Sequence, residues 1–270
     1  MSTAVREPAV AGYFYPGRPE TLLRDVRSYT AAPEAKLRAL GCVAPHAGYM
    51  YSGHVAGAVY ARLELPRRFL ILCPNHTGVG EPLAIMSRGA WRTPLGDARI
   101  DEPLAAQLIE RCSLLSEDSL AHRSEHALEV QLPFLQALLP DFTFVPIAVG
   151  VGSFPPLAEL GEAMAEVIAA QHHTILIIAS SDMNHYESDA LTRVKDAKAI
   201  EPMIALDARR LYDVVRVQHI SMCGFGPAVA MLTAAKRLGA TQAELVKYAT
   251  SGDISGDFDR VVGYAGIIVR

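Results

Sequence analysis

Short apolar runs alternate with amphipathic stretches along the whole chain. Gly41–Pro45 and Arg68–Pro74 (RFLILCP) read as near-continuous apolar segments, the pattern of strands covered on both faces. Leu83–Ser87, Thr143–Gly150 (TFVPIAVG) and Thr174–Ser180 (TILIIAS) repeat it. Between them, Asp101–Cys112 opens with acidic residues and a proline, then carries apolar residues at helical spacing. Leu157–Gln171, introduced by Pro155 and Pro156, predicts a helix, as do Ser188–Leu206 and Asp207–Arg216. Gly226–Leu238 predicts another, stopped at Gly239. Glu125–Leu139 has the same period, with Pro133 expected to kink or split it. Trp91–Asp97 carries Pro and Gly and reads as a turn between extended pieces. Leu245–Thr250 and Val261–Val269 close the chain as strands able to add an antiparallel pair at one side. The alternation predicts an α/β fold of three layers, a mostly parallel or mixed central sheet with helices on both faces, in a single domain over residues 1–270.

Composition narrows the partners. Of 270 residues, 50% are hydrophobic, and 25 basic side chains face 29 acidic ones for a net charge of −4. No basic run exists to neutralise phosphates, so neither nucleic acid nor a membrane surface is expected as a partner. The opening MSTAVREPAVAGYFYPG lacks a basic segment followed by an apolar core, and no apolar run approaches the roughly 20 residues of a membrane span. A cytoplasmic location is the expectation. Cys42 and Cys73 lie in strand-like apolar runs and are expected to be buried thiols, and no disulfide framework is expected.

The chemistry-bearing residues collect after predicted strands, where open α/β sheets place ligands. Gly41–Pro45 runs into His46 and the loop HAGYMYSGH; Arg68–Pro74 runs into Asn75 and His76; Thr174–Ser180 runs into Ser181, Asp182, Asn184 and His185. SMCGFGPA sets Cys223 ahead of a helix, where the helix dipole favours a thiolate. Two imidazoles and a thiolate suit zinc, copper or iron, and three protein ligands leave a position open. The competing reading is a pocket without metal, in which the histidines bind a small molecule and Cys223 is a reactive or buried thiol. Asp182 and His185 are candidates for orienting a ligand and moving a proton. Glu125 and His126 either enter the same pocket or belong to a solvated helix face with Glu129. Tyr49, Asn75 and Tyr15 complete the expected pocket.

Six segments in order, REPAVAGYFYPG, APHAGYMYSG, PNHTG, SEHALEVQLPFL, SSDMNHY and MCGFGP, resemble the Memo family, whose prokaryotic members are also called AmmeMemoRadiSam system protein B. The resemblance runs from about Arg6 to the C-terminus. It implies a fold similar to class III extradiol dioxygenases, which hold a non-haem iron, and one metal ion per chain. It implies His46, His76 and Cys223 as metal positions, His185 as the position of the dioxygenase base, Asp182 in the same loop, and His126 facing the pocket. Those dioxygenases use a carboxylate where Cys223 stands. A thiolate is softer and oxidisable, which argues against ring cleavage and leaves iron or copper as the expected metal, with zinc as the alternative. The resemblance also implies a possible radical-SAM protein partner. Three functions follow from these residues: a metal-dependent redox protein, a scaffold capturing a peptide or small molecule in the same pocket, and a zinc hydrolase.

Overall fold

The computed structural model describes residues 4–31 and 35–270. Twelve strands form one mixed sheet: β1 (Val5–Arg6), β2 (Gly41–Ala44), β3 (Arg68–Pro74), β4 (Leu83–Ile85), β5 (Ala90–Thr93), β6 (Gly96–Ile100), β7 (Ser116–Glu117), β8 (Thr143–Val149), β9 (Leu176–Ser180), β10 (His185–Glu187), β11 (Ala243–Thr250) and β12 (Val261–Val269). The spine runs β1-β5-β6-β8-β3-β9-β2-β12-β10, and β8, β3, β9 and β2 are mutually parallel. As expected, the closing strands β11 and β12 pair antiparallel.

Side chains of the central strands divide between two cores. Phe69, Ile71 and Cys73 of β3 face one layer and Leu70 and Leu72 the other; in β9, Leu176 and Ile178 oppose Ile177 and Ala179. Both faces are covered, which explains why these strands read as unbroken apolar runs. One layer holds α1 (Pro19–Tyr29), α2 (Tyr49–Arg62) and α4 (Leu132–Leu138); the other holds α3 (Glu102–Arg111), α5 (Phe154–Ala169), α6 (Asp189–Ile204), α7 (Ala208–Val217) and α8 (Phe225–Arg237). A last short helix, α9 (Gly252–Ser255), follows β11. Asp101, Ser188 and Asp207 cap α3, α6 and α7, each side chain accepting a backbone N–H of the first turn.

Three expectations are corrected. The segment HAGYMYSGH is a loop only to Gly48, because α2 starts at Tyr49. Gly53 and Gly57 lower its helix propensity but let α1 approach: a Cβ on Gly57 would lie 2.5 Å from the Tyr29 carbonyl oxygen. Glu125–Leu139 is not one kinked helix. Residues 125–128 form a turn, a 3₁₀ segment covers Glu129–Gln131, and α4 begins at Leu132 with Pro133 in its first turn, where no donor is lost. Trp91–Asp97 is mostly strand, with the turn confined to Pro94 and Leu95 between β5 and β6. Among the described residues no helix is long and apolar enough to cross a membrane.

Candidate metal centre

Three neighbouring parallel strands, β3, β9 and β2, end on one edge of the sheet, and their ends deliver His76, Asp182 and His46. Cys223 arrives from the turn before α8, on Gly224. A Cβ on Gly224 would lie 2.3 Å from the Ser180 carbonyl oxygen, so only glycine lets this turn close onto β9. These side chains line a cleft of about 570 Å³ together with His126 and His185.

His46, His76 and Cys223 each offer a donor atom, all within 4.8 Å of one another. His46 Nε2 stands 3.1 Å from Cys223 Sγ, and the His46 and His76 rings meet edge to face at 5.2 Å. Behind the cleft, His76 Nδ1 is 2.9 Å from a Glu125 carboxylate oxygen. A carboxylate only accepts, so Nδ1 carries the proton and Nε2 keeps its lone pair. His46 Nδ1 lies 3.0 Å from Ser180 Oγ. Burial, then the charges of His126 and His76, hold the His46 imidazole well below its usual range, keeping it neutral as a metal ligand must be.

Glu125 is fully buried and pulled down to about 2: burial pushes it up, but the His76 hydrogen bond and charge and the backbone N–H groups of Ala127 and His76 outweigh it. His76 also loses to burial, yet its bond to Glu125 and that charge leave it raised overall. Glu125 shifts further because it also collects the two backbone donors, at 2.6 and 2.9 Å. The thiol departs from expectation. Burial first, then the negative charge of Asp182, push Cys223 well up, and the start of α8 does not reverse this. A bound cation is what would favour its thiolate.

Asp182 lines the cleft with one carboxylate oxygen accepting the backbone N–H of His46 at 2.8 Å. Burial raises its pKa against that hydrogen bond. His185 faces the cleft from β10. Its Nδ1 donates to the Ser221 carbonyl at 2.9 Å, which leaves Nε2 as an acceptor toward the cleft. His126 stacks on His76 at 4.7 Å and 19°, with Phe14 at 4.7 Å on another side.

Other expected pocket residues turn away. The Tyr15 hydroxyl donates to Glu129 at 2.6 Å and the Tyr49 hydroxyl to the Val130 carbonyl at 2.6 Å, both buried beneath the cleft. Asn75 bonds to Thr77, Gly78 and Val79 and shapes its own loop. Glu125 does not line the cleft but supports it from behind. Neither Glu125 nor Glu129 belongs to a solvated helix face, since both are fully buried. In exchange, Phe14, Tyr186, Ser221 and Val262 line the cleft. Asn184 ties two of its loops, its Oδ1 accepting the Ser221 N–H at 3.1 Å. All four cysteines are free thiols, with Cys42, Cys73 and Cys112 buried.

A family model for Memo-like proteins matches residues 6–268. The chain belongs to the Memo-like family. A MEMO1 family protein of Methanopyrus kandleri is 43% identical over 98% of this chain and 99% of its own. One from Methanosarcina mazei is 45% identical over the same shares. The crystal structure of an uncharacterized protein from Escherichia coli K12 shares the fold alone, with a TM-score of 0.54 and 12% identity over 84% of this chain and 98% of that one. In this Memo-like chain the His/His/Cys cluster and its supporting carboxylate come from segments that the family match spans.

Proposed function

We propose that this Memo-like protein binds one metal ion per chain through His46, His76 and Cys223 and uses it as a redox centre, with iron or copper as the metal. The observation that carries the reading is the orientation of the donors. His76 has its Nδ1 committed to Glu125, His46 has its Nδ1 on Ser180, and Cys223 Sγ stands 3.1 Å from His46 Nε2. Two imidazoles and one thiol fit a soft or borderline ion and leave room for a further ligand in the cleft. Such an ion would supply one-electron chemistry and Lewis acidity. The chain's own residues do the rest: His185 Nε2 accepts a proton from a cleft-bound ligand, and Phe14 and Val262 give the cleft an apolar wall.

The reading is tested by loading the protein anaerobically with Fe(II), Cu(I) or Zn(II) and exposing each form to oxygen. Oxygen uptake and a spectral change with iron or copper, absent with zinc and in the Cys223→Ser variant, support it. Turnover with zinc alone would favour hydrolysis instead. One observation favours a second reading, capture of a peptide or small molecule: Tyr13 is 90%, Met50 64% and Tyr186 65% exposed, and each is a cleft-lining residue or the neighbour or near-neighbour of one. A ligand captured this way binds equally well after chelation.

A further inference from the structure

We infer that Ser180 and Gln131 are positioning residues that force His46 into the tautomer protonated at Nδ1. The hydrogen bonds that fix this tautomer need no metal; only its consequence for affinity rests on the metal reading above.

Neither residue touches the cleft, and both are fully buried. The relay starts at the backbone. Gln131 Nε2 lies 3.0 Å from the Pro45 carbonyl oxygen, and a carbonyl can only accept. That end of the amide is therefore the NH₂ group. The amide oxygen accepts from the Tyr60 hydroxyl at 2.8 Å, consistent with the same orientation. With one N–H shared between the Pro45 carbonyl and, more distantly at 3.4 Å, that of Ala44, the second donates to Ser180 Oγ at 2.8 Å. Ser180 has a single hydroxyl proton, and Oγ lies 2.5 Å from the Ala127 carbonyl oxygen. That oxygen also only accepts, so the proton goes there. Ser180 Oγ then has one lone pair left, and the remaining neighbour is His46 Nδ1 at 3.0 Å. Nδ1 must donate.

The opposite tautomer would set a nitrogen lone pair against an oxygen lone pair in a dry site. Rotating the hydroxyl toward Nδ1 would relieve this only by stripping the buried Ala127 carbonyl of its hydrogen bond. The result is a ring whose Nε2 lone pair points toward Cys223 Sγ and the cleft. His46 and His76 thus reach the same state by different means, a neutral serine–glutamine relay for one and a carboxylate for the other. The neutral relay adds no negative charge behind His46 Nδ1, whereas Glu125 sets a carboxylate behind His76 Nδ1 and Asp182 approaches His46 from the Nε2 side at 3.9 Å.

The test is the nitrogen NMR spectrum of the metal-free full chain labelled on histidine, with Co(II) titration of the same samples. Wild type is expected to show His46 protonated at Nδ1. Ser180→Ala is expected to move the proton toward Nε2 and to weaken Co(II) binding by about 10–100-fold, the usual effect of removing a ligand's outer partner. A merely structural role would lower stability without moving the proton. His46 protonated at Nε2 in wild type overturns the inference, as does an unchanged tautomer in Ser180→Ala; should that variant not fold, the wild-type spectrum decides alone. Nδ1 protonation with no Co(II) uptake supports the relay and overturns the metal reading instead.

Discussion

Glu125 and His76 form the hydrogen-bonded pair on which the geometry of the cleft leans, and the Glu125 pKa shift sets a sign. The Glu125 pKa falls from 4.5 to about 2 in the folded chain. A depressed acid contributes stability that is present above its unfolded value and lost as pH falls through its folded value. The contribution is therefore full above about pH 4.5 and gone below about pH 2, and it amounts to roughly 3 kcal/mol. Glu125→Gln should remove that much and flatten the acid limb of a stability–pH curve measured by urea unfolding. Parallel curves for the two proteins would contradict the assignment. Under the proposed reading, exchange of sulfur for oxygen at the part-buried Cys223 should cost metal affinity more than folding. Cys223→Ser should weaken Co(II) binding at least about tenfold and lose the thiolate charge-transfer band while its urea midpoint stays near that of wild type. An unchanged band would remove Cys223 from the ligand set. These residues were legible because strand ends and the Gly-rich turn concentrate them. Ser180 and Gln131 were not, because nothing in ASSDMNH or EVQLPFL says which polar side chain points inward.

At the scale of elements, the N-terminal segment is held by one carboxylate. Glu129 accepts from Arg6 at 2.5 Å, from Ala9 and Val10 N–H groups at 2.7 and 3.1 Å, and from the Tyr15 hydroxyl. Arg6 also donates to the carbonyls of His122 and Glu125, and the Phe14 carbonyl accepts the first N–H of α2. This clamp carries Phe14 to the cleft and sets the turn that holds Glu125. Glu129→Ala leaves a buried guanidinium without its carboxylate and should cost about 3–5 kcal/mol in denaturant unfolding, whereas Arg209→Ala, which breaks an exposed pair with Asp213, should leave the unfolding midpoint near that of wild type. Equal losses would show that the clamp is not structural. The clamp escaped the sequence reading for a physical reason. Glu125 and Glu129 at helical spacing suggest one face, but the turn at 125–128 sends the first toward His76 and the second toward Arg6. Helix starts were easier: the expected helices open at Asp101, Ser188 and Asp207, and each of these side chains proves to cap its own first turn.

Across the whole molecule, the order of strands does what local sequence cannot. β3, β9 and β2 are distant in the chain and adjacent in the sheet, so His76, Asp182 and His46 meet. The class of fold follows from apolar runs and their alternation with helices; the adjacency follows only from the crossovers that the helices make. An ion held by His46, His76 and Cys223 would join three separate segments at the sheet edge. A ligand binding only the folded chain stabilises by about 4 kcal/mol at a thousandfold excess over Kd. Thermal unfolding with Co(II) should therefore shift upward by on the order of 10 °C, and a chelator should reverse it. The most direct test is metal per chain, measured by plasma mass spectrometry on protein purified without oxygen or chelator, beside His46→Ala. Near one iron or copper per chain, lost in the variant, is the predicted result. No metal in either protein and no uptake on titration would contradict the central claim and leave a thiol-bearing binding cleft.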